Sequence, residues 1–107
     1  MRHRWLPAVL ARIRELAAQR RVRFTLKALR ELAALDPGLD QEDACGVLMD
    51  LAPGDVVERL VSRKTGEWMY VFKPTVAGTV IYVKVILRND CVVISFHDEG
   101  DEGDESD

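Results

Sequence analysis

Three short runs late in the chain alternate in a way that suits a β-sheet: Trp68–Pro74 (WMYVFKP), Ile81–Arg88 (IYVKVILR) and Cys91–His97 (CVVISFH). Successive side chains on a strand point to opposite faces, so each run sorts into two sets. One set is Trp68, Tyr70 and Phe72, then Ile81, Val83, Val85 and Leu87, then Val92, Ile94 and Phe96. It is wholly apolar, which predicts the face that packs against the rest of the chain. The other set is Met69, Val71 and Lys73, then Tyr82, Lys84, Ile86 and Arg88, then Val93, Ser95 and His97. Its Tyr, Lys, Arg and His side chains mark it as the working surface. A Gly-centred turn and the Asn89-Asp90 pair separate the runs.

The preceding sequence has the period of helices. Pro7 suits a first helical turn, and Leu6, Val9, Leu10, Ile13, Leu16 and Ala17 form one apolar stripe to about Gln19. Val22–Phe24 reads as a small edge strand. Thr25 is placed to cap a second helix carrying Ala28, Leu29, Leu32 and Ala33, which Asp36-Pro37-Gly38 ends. Asp40 caps a third helix bearing Ala44, Val47, Leu48 and Leu51, stopped at Pro53-Gly54. From Val56 the period becomes two, and Lys64–Glu67 is a hairpin turn leading into Trp68. Helices followed by four antiparallel strands predict an α+β fold, with the N-terminal helices on one sheet face. Residues 1–97 form a single domain and 98–107 a disordered acidic tail.

Charge divides along the same boundary. Seven of the 18 acidic residues follow His97, which leaves 11 against 15 basic residues in the body. Residues 1–30 hold nine Arg or Lys and one acid, Glu15. A basic body suits a polyanion, and an acidic tail can fold over the cationic face and compete with phosphates. No apolar run approaches the roughly 20 residues of a membrane helix. The N-terminus lacks a secretory pattern, and Cys45 and Cys91 lack metal-type spacing, so both are expected reduced and structural in a cytoplasmic protein.

His97 ends the last strand on the polar face, and an ordinary histidine pKa of about 6.5 suits proton transfer near neutrality. Read alone it is a histidine at a strand end, and Tyr82, Lys73, Lys84 and Arg88 are each solvated sheet residues. Their convergence on one face gives a set able to hold a phosphate and stabilise added charge. Arg59, Arg63 and Lys64 add positive charge along the first strand. Trp68, Tyr70 and Phe72 share their parity with core residues, so they read as core rather than a base-stacking ladder. The chain has no dinucleotide or P-loop motif, no nucleophile elbow and no metal-ligand cluster, which disfavours metal and nucleotide-cofactor chemistry. Among reactions on polyanions, RNA cleavage by the substrate's own 2′-hydroxyl needs only an acid, a base and cations.

These residues resemble the MqsR (motility quorum-sensing regulator) family of toxins. The matching features are V-R-F-T at Val22–Thr25 followed by K-A-L, then Ala44 and Cys45, and Asp55 opening the first strand. W-M-Y-V-F-K-P at Trp68–Pro74, I-Y-V-K at Ile81–Lys84 and V-I-S-F-H at Val93–His97 complete the pattern, which covers about residues 10–97. The resemblance implies a RelE-like fold and a metal-independent endoribonuclease of a bacterial type II toxin–antitoxin system. It implies single-stranded mRNA and a cognate antitoxin protein as partners, with no small-molecule cofactor. The family's penultimate-strand tyrosine falls on Tyr82, and its terminal-strand lysine on His97. Its active-site glutamine is Met69 here, and its first-strand lysine aligns with Glu58, with Arg59 adjacent as a substitute if the register slips by one.

The leading expectation is therefore an mRNA-cleaving toxin. Tyr82 and His97 act at the scissile phosphate, while Lys73, Lys84, Arg88, Arg59 and Arg63 hold the RNA. The alternative, favoured by Met69 and Glu58, is a non-catalytic nucleic-acid- or protein-binding regulator on the same fold.

Overall fold

Proline in the first turn and an unbroken apolar stripe produce helix α1, Leu6–Ala18, whose residues Leu6, Val9, Leu10, Ile13, Leu16 and Ala17 are all buried. This is a computed structural model, which describes residues 3–101. Arg20 closes α1 with a positive φ of 59°, and its guanidinium pairs with Glu42 of a later helix at 2.6 Å. The chain then enters strand β1, Val22–Phe24, and helix α2, Leu26–Ala34. Thr25 caps α2 by accepting from the Ala28 N–H, as its position in the sequence predicts.

Helix α3 spans Gln41–Met49 and starts in a capping box. Asp40 accepts from the Asp43 N–H, and the Asp43 carboxylate accepts from the Asp40 N–H. The bond it accepts from the Asp43 N–H holds the Asp40 carboxyl below its ordinary pKa. A short 3-10 turn, Pro53–Asp55, leads into strands β2 (Val56–Val61), β3 (Trp68–Phe72), β4 (Thr75–Val76), β5 (Thr79–Leu87) and β6 (Cys91–Asp98). The two-residue β4 is absent from the sequence reading. Ala77 and Gly78 join it to β5 with φ of 51° and 83°, the left-handed pair that a tight hairpin needs.

The sheet runs β1-β6-β5-β3-β2, with β4 added beside β5; β1 is parallel to β6 and the other pairings are antiparallel. The three helices cover one face, where Ile13, Leu16, Leu32 and Leu48 meet Phe72, Val83, Val85, Val93 and Phe96. The fold is α+β with N-terminal helices on the sheet. No helix among the described residues is long and apolar enough to cross a membrane. Strand β6 includes Asp98, and residues 99–101 are tied back through Glu99 N–H to Val80 and Asp101 N–H to Asp98. The rest of the expected acidic tail, 102–107, lies outside the described residues.

Two bulges correct the simple alternation. In β6, Val93 faces Val85 and Ser95 faces Lys84, so Ile94 is an extra residue. Val93 and Phe96 therefore both join the core, while Val92 packs with Met69 and Ile86 on the face away from the helices and Ile94 joins that cluster. The expected faces of Val92, Val93 and Ile94 are thus reversed. In β2, Val56 faces Phe72 and Glu58 faces Val71, leaving Val57 as the extra residue. Trp68 also departs from expectation: it shares a face with the core but lies at the sheet margin, 44% exposed.

Candidate active site on the open face of the sheet

The Ile94 bulge decides what the open face carries. Past it, Tyr82 stands directly opposite His97, and Lys84 opposite Ser95. The two rings stack with centroids 5.0 Å apart and planes 14° from parallel. His97 Nδ1 lies 2.8 Å from the Asp98 carbonyl oxygen. A carbonyl only accepts, so that contact places the hydrogen on Nδ1 and makes Nε2 the nitrogen that takes a proton in the neutral ring. His97 is only 6% exposed, so its ring is held by its neighbours rather than free in solvent.

The cations expected at the site are placed differently. Lys84 is 4% exposed and sits in the row between Ser95 of β6 and Val71 of β3. Lys73, one residue past β3, reaches Glu99 just past β6 at 3.0 Å, which brings it to the His97 end of the sheet. Arg88 is on the open face but is clamped by Glu67 through two hydrogen bonds of 2.6 and 2.8 Å. Those bonds pull the Glu67 carboxyl down to about 2 and raise the Arg88 guanidinium. Arg63 lies in the β2–β3 turn, beyond the strand.

Arg59 is not on the working surface. It stands opposite Tyr70, on the face of the helices, with its guanidinium carbon 3.9 Å from the Trp68 ring centroid and 5.3 Å from that of Trp5. The register puts Glu58 on the open face instead, opposite Val71. Arg59 therefore does not substitute there for the family's lysine. Met69 fills the family's glutamine position as a 4% exposed member of the apolar cluster with Ile86 and Val92.

Sequence reasoning missed Lys27 and Glu31 of α2. Lys27 Nζ donates to Ser95 Oγ at 2.8 Å and pairs with Glu31 at 3.0 Å. Glu31 also accepts from the Phe96 N–H at 2.9 Å, which fastens the bulged strand to the helix. The available signal was their i,i+4 spacing beside the stripe of Ala28, Leu29 and Leu32. Thr25, besides capping α2, donates to the Ile94 carbonyl at 3.4 Å. Among the described residues, no three His, Cys, Asp or Glu side chains are grouped so as to hold a metal ion.

An imidazole with one defined proton-accepting nitrogen, a stacked phenol and flanking lysines together form a site suited to acid–base chemistry on a phosphodiester. The family model described as "Motility quorum-sensing regulator, toxin of MqsA" matches residues 7–98, from the start of α1 to the end of β6. The chain belongs to the MqsR toxin family. It is also similar to the mRNA interferase toxin MqsR of Escherichia coli (strain K12), with 26% identity over 91 residues, covering 84% of this chain and 91% of that one. The matched span contains Tyr82, Lys84, Ser95 and His97, and so the whole stacked row belongs to the family domain.

Proposed function

We propose that this protein is the toxin of a bacterial type II toxin–antitoxin pair and an endoribonuclease that cleaves mRNA in the cytoplasm without a metal. Family membership and the relative's mRNA interferase name support the toxin and nuclease assignment. The family description pairs the toxin with MqsA, which supports a cognate antitoxin protein as this chain's partner. The observation that carries the chemistry is the Tyr82–His97 stack, because it fixes an imidazole beside a phenol and close to Lys73 and Lys84.

In the proposed reaction the RNA's own 2′-hydroxyl attacks the adjacent phosphorus as the P–O5′ bond breaks. The products are a 2′,3′-cyclic phosphate and a 5′-hydroxyl. His97, through Nε2, removes the 2′-hydroxyl proton, or in its protonated form delivers one to the leaving 5′-oxygen. Tyr82 contacts the scissile phosphate. Lys73 and Lys84 offset the charge that builds on the nonbridging oxygens.

Incubating the full chain with a defined mRNA in EDTA and mapping both product ends tests this. Cyclic-phosphate ends that disappear in His97→Ala are expected. Cleavage that is unchanged in His97→Ala would remove histidine from the mechanism. A second reading, a regulator that binds without cutting, is favoured by Met69, whose buried thioether offers no hydrogen bond of consequence to a phosphate. Salt-sensitive RNA binding with no products, with or without ribosomes, would establish it.

A further inference from the structure

The open face holds a second feature that the stacked row does not use. A cleft of about 350 Å³ lies between the start of α2 and the β2–β3 turn. Its floor is Ile86, Val92 and Ile94, members of the apolar cluster on the face away from the helices. Thr25 and Lys27 form one wall, and Ser62, Lys64 and Thr65 the other. The turn wall is preformed: Ser62 Oγ accepts from the Lys64 and Thr65 N–H groups at 3.2 and 3.3 Å, and Gly66 N–H closes onto the Ser62 carbonyl at 2.9 Å. Ile86 is four residues along β5 from Tyr82, so the floor lies about 13 Å from the stacked row, with Lys84 between them.

The chemistry of this cleft differs from that of a phosphate site. Lys27 and Arg88 at its margin are each paired with a glutamate, whereas Lys64 makes no such pair among the described residues. An apolar floor with hydroxyl and ammonium donors at one rim matches a planar ring with acceptors on its edge. The lysines leading to it match the ring's phosphate backbone.

We propose that this cleft is a nucleobase subsite, which seats a base of the bound RNA near the scissile phosphate and so sets which sequences are cut. The proposal rests on the ribonuclease reading above. The aliphatic floor covers the face of the base, and the Lys64 ammonium and Thr65 hydroxyl meet its carbonyl and ring-nitrogen acceptors. Phosphate contacts through Lys73 and Lys84 bind any sequence equally, whereas the cleft discriminates.

The test uses short oligoribonucleotides spanning a mapped cleavage site, each lacking one base, with the wild-type chain and Thr65→Trp. Thr65 is on the exposed turn, and a tryptophan there occupies the cleft mouth without entering the helical core. The wild type should lose about tenfold in kcat/KM when one particular flanking base is removed. Thr65→Trp should show that loss with the intact oligonucleotide and little more when the base is absent. Lys64→Gln, which adds no bulk, should reduce the same positional penalty. Cleavage in which every base removal affects wild type and both variants equally would overturn the subsite and leave the ribonuclease standing. Absence of both cleavage and binding would overturn the two together.

Discussion

Tyr82 and His97 are cross-strand partners whose rings lie 14° from parallel at 5.0 Å, with His97 Nδ1 fixed on the Asp98 carbonyl. The imidazole is held on its face by a phenol and on its edge by backbone, so its position does not depend on bound substrate. General acid–base catalysis contributes about 100- to 10,000-fold, so His97→Ala should lower kcat/KM for RNA by at least about 100-fold. Tyr82→Phe keeps the ring and the stack, so its effect isolates the hydroxyl, and about a tenfold loss is expected. Full activity in Tyr82→Phe would reduce Tyr82 to a platform for the histidine.

Lys73 stands at the His97 end of β6, where Glu99 holds it at 3.0 Å. Both side chains are substantially exposed, and an exposed pair of this kind is worth about 0–1 kcal/mol, so a phosphate can displace the carboxylate. Glu99→Gln should therefore raise RNA affinity severalfold at low salt. The difference should close as salt rises, because screening weakens the competing pair and the phosphate contact alike. Filter binding of an uncleavable RNA at two salt concentrations measures it. Equal affinities at low salt would show that Glu99 does not guard the site.

Cys91 is completely buried beneath the helices, and burial pushes its thiol up to about 12. Burial also raises Cys45, the other free cysteine. The thiolate is the reactive form, so native protein at pH 8 should resist iodoacetamide at Cys91 and react there only after unfolding. Because the folded pKa lies above the ordinary value of 9.0, the linked stability is complete below about pH 9 and is lost as pH rises toward 12. Mass-spectrometric alkylation with and without denaturant reads the first effect, and urea melts between pH 8 and 10.5 read the second. Rapid native labelling at Cys91 would contradict its burial.

Much of this fold is legible in the sequence because local chemistry and long-range packing agree. Thr25 and Asp40 announce their helices through short side-chain oxygens, and the α1 stripe is buried residue for residue. The convergence of Tyr82, Lys84 and His97 is also legible, from the opposite parity of Phe96 and His97, although with Ile94 in place the bulge is what delivers it. The placement of Arg59 is not. A bulge at Val57 fixes its face, and the aromatic sandwich that holds it joins Trp5 to Trp68, residues far apart in sequence. Lys27 escapes for a similar reason, because its partner Ser95 lies on a strand 68 positions away.

Ile94 is the least legible position, since an isoleucine in a run of β-formers carries no sign of a bulge. Its deletion should nevertheless be tolerated. Cys91–Val93 are locked by parallel pairing to Val22–Phe24, and without the extra residue Ser95 still follows Val93 opposite Lys84 in a regular ladder. Phe96 then stays in the core and His97 on the open face. What is lost is the half-buried isoleucine and the Thr25 bond to its carbonyl, together about 1–3 kcal/mol. Ile94→Val, which keeps the bulge, should cost only about 1 kcal/mol. Urea midpoints of the two variants against wild type decide the matter. A deletion variant that no longer folds would show that the bulge itself, and not only the register it leaves, is required.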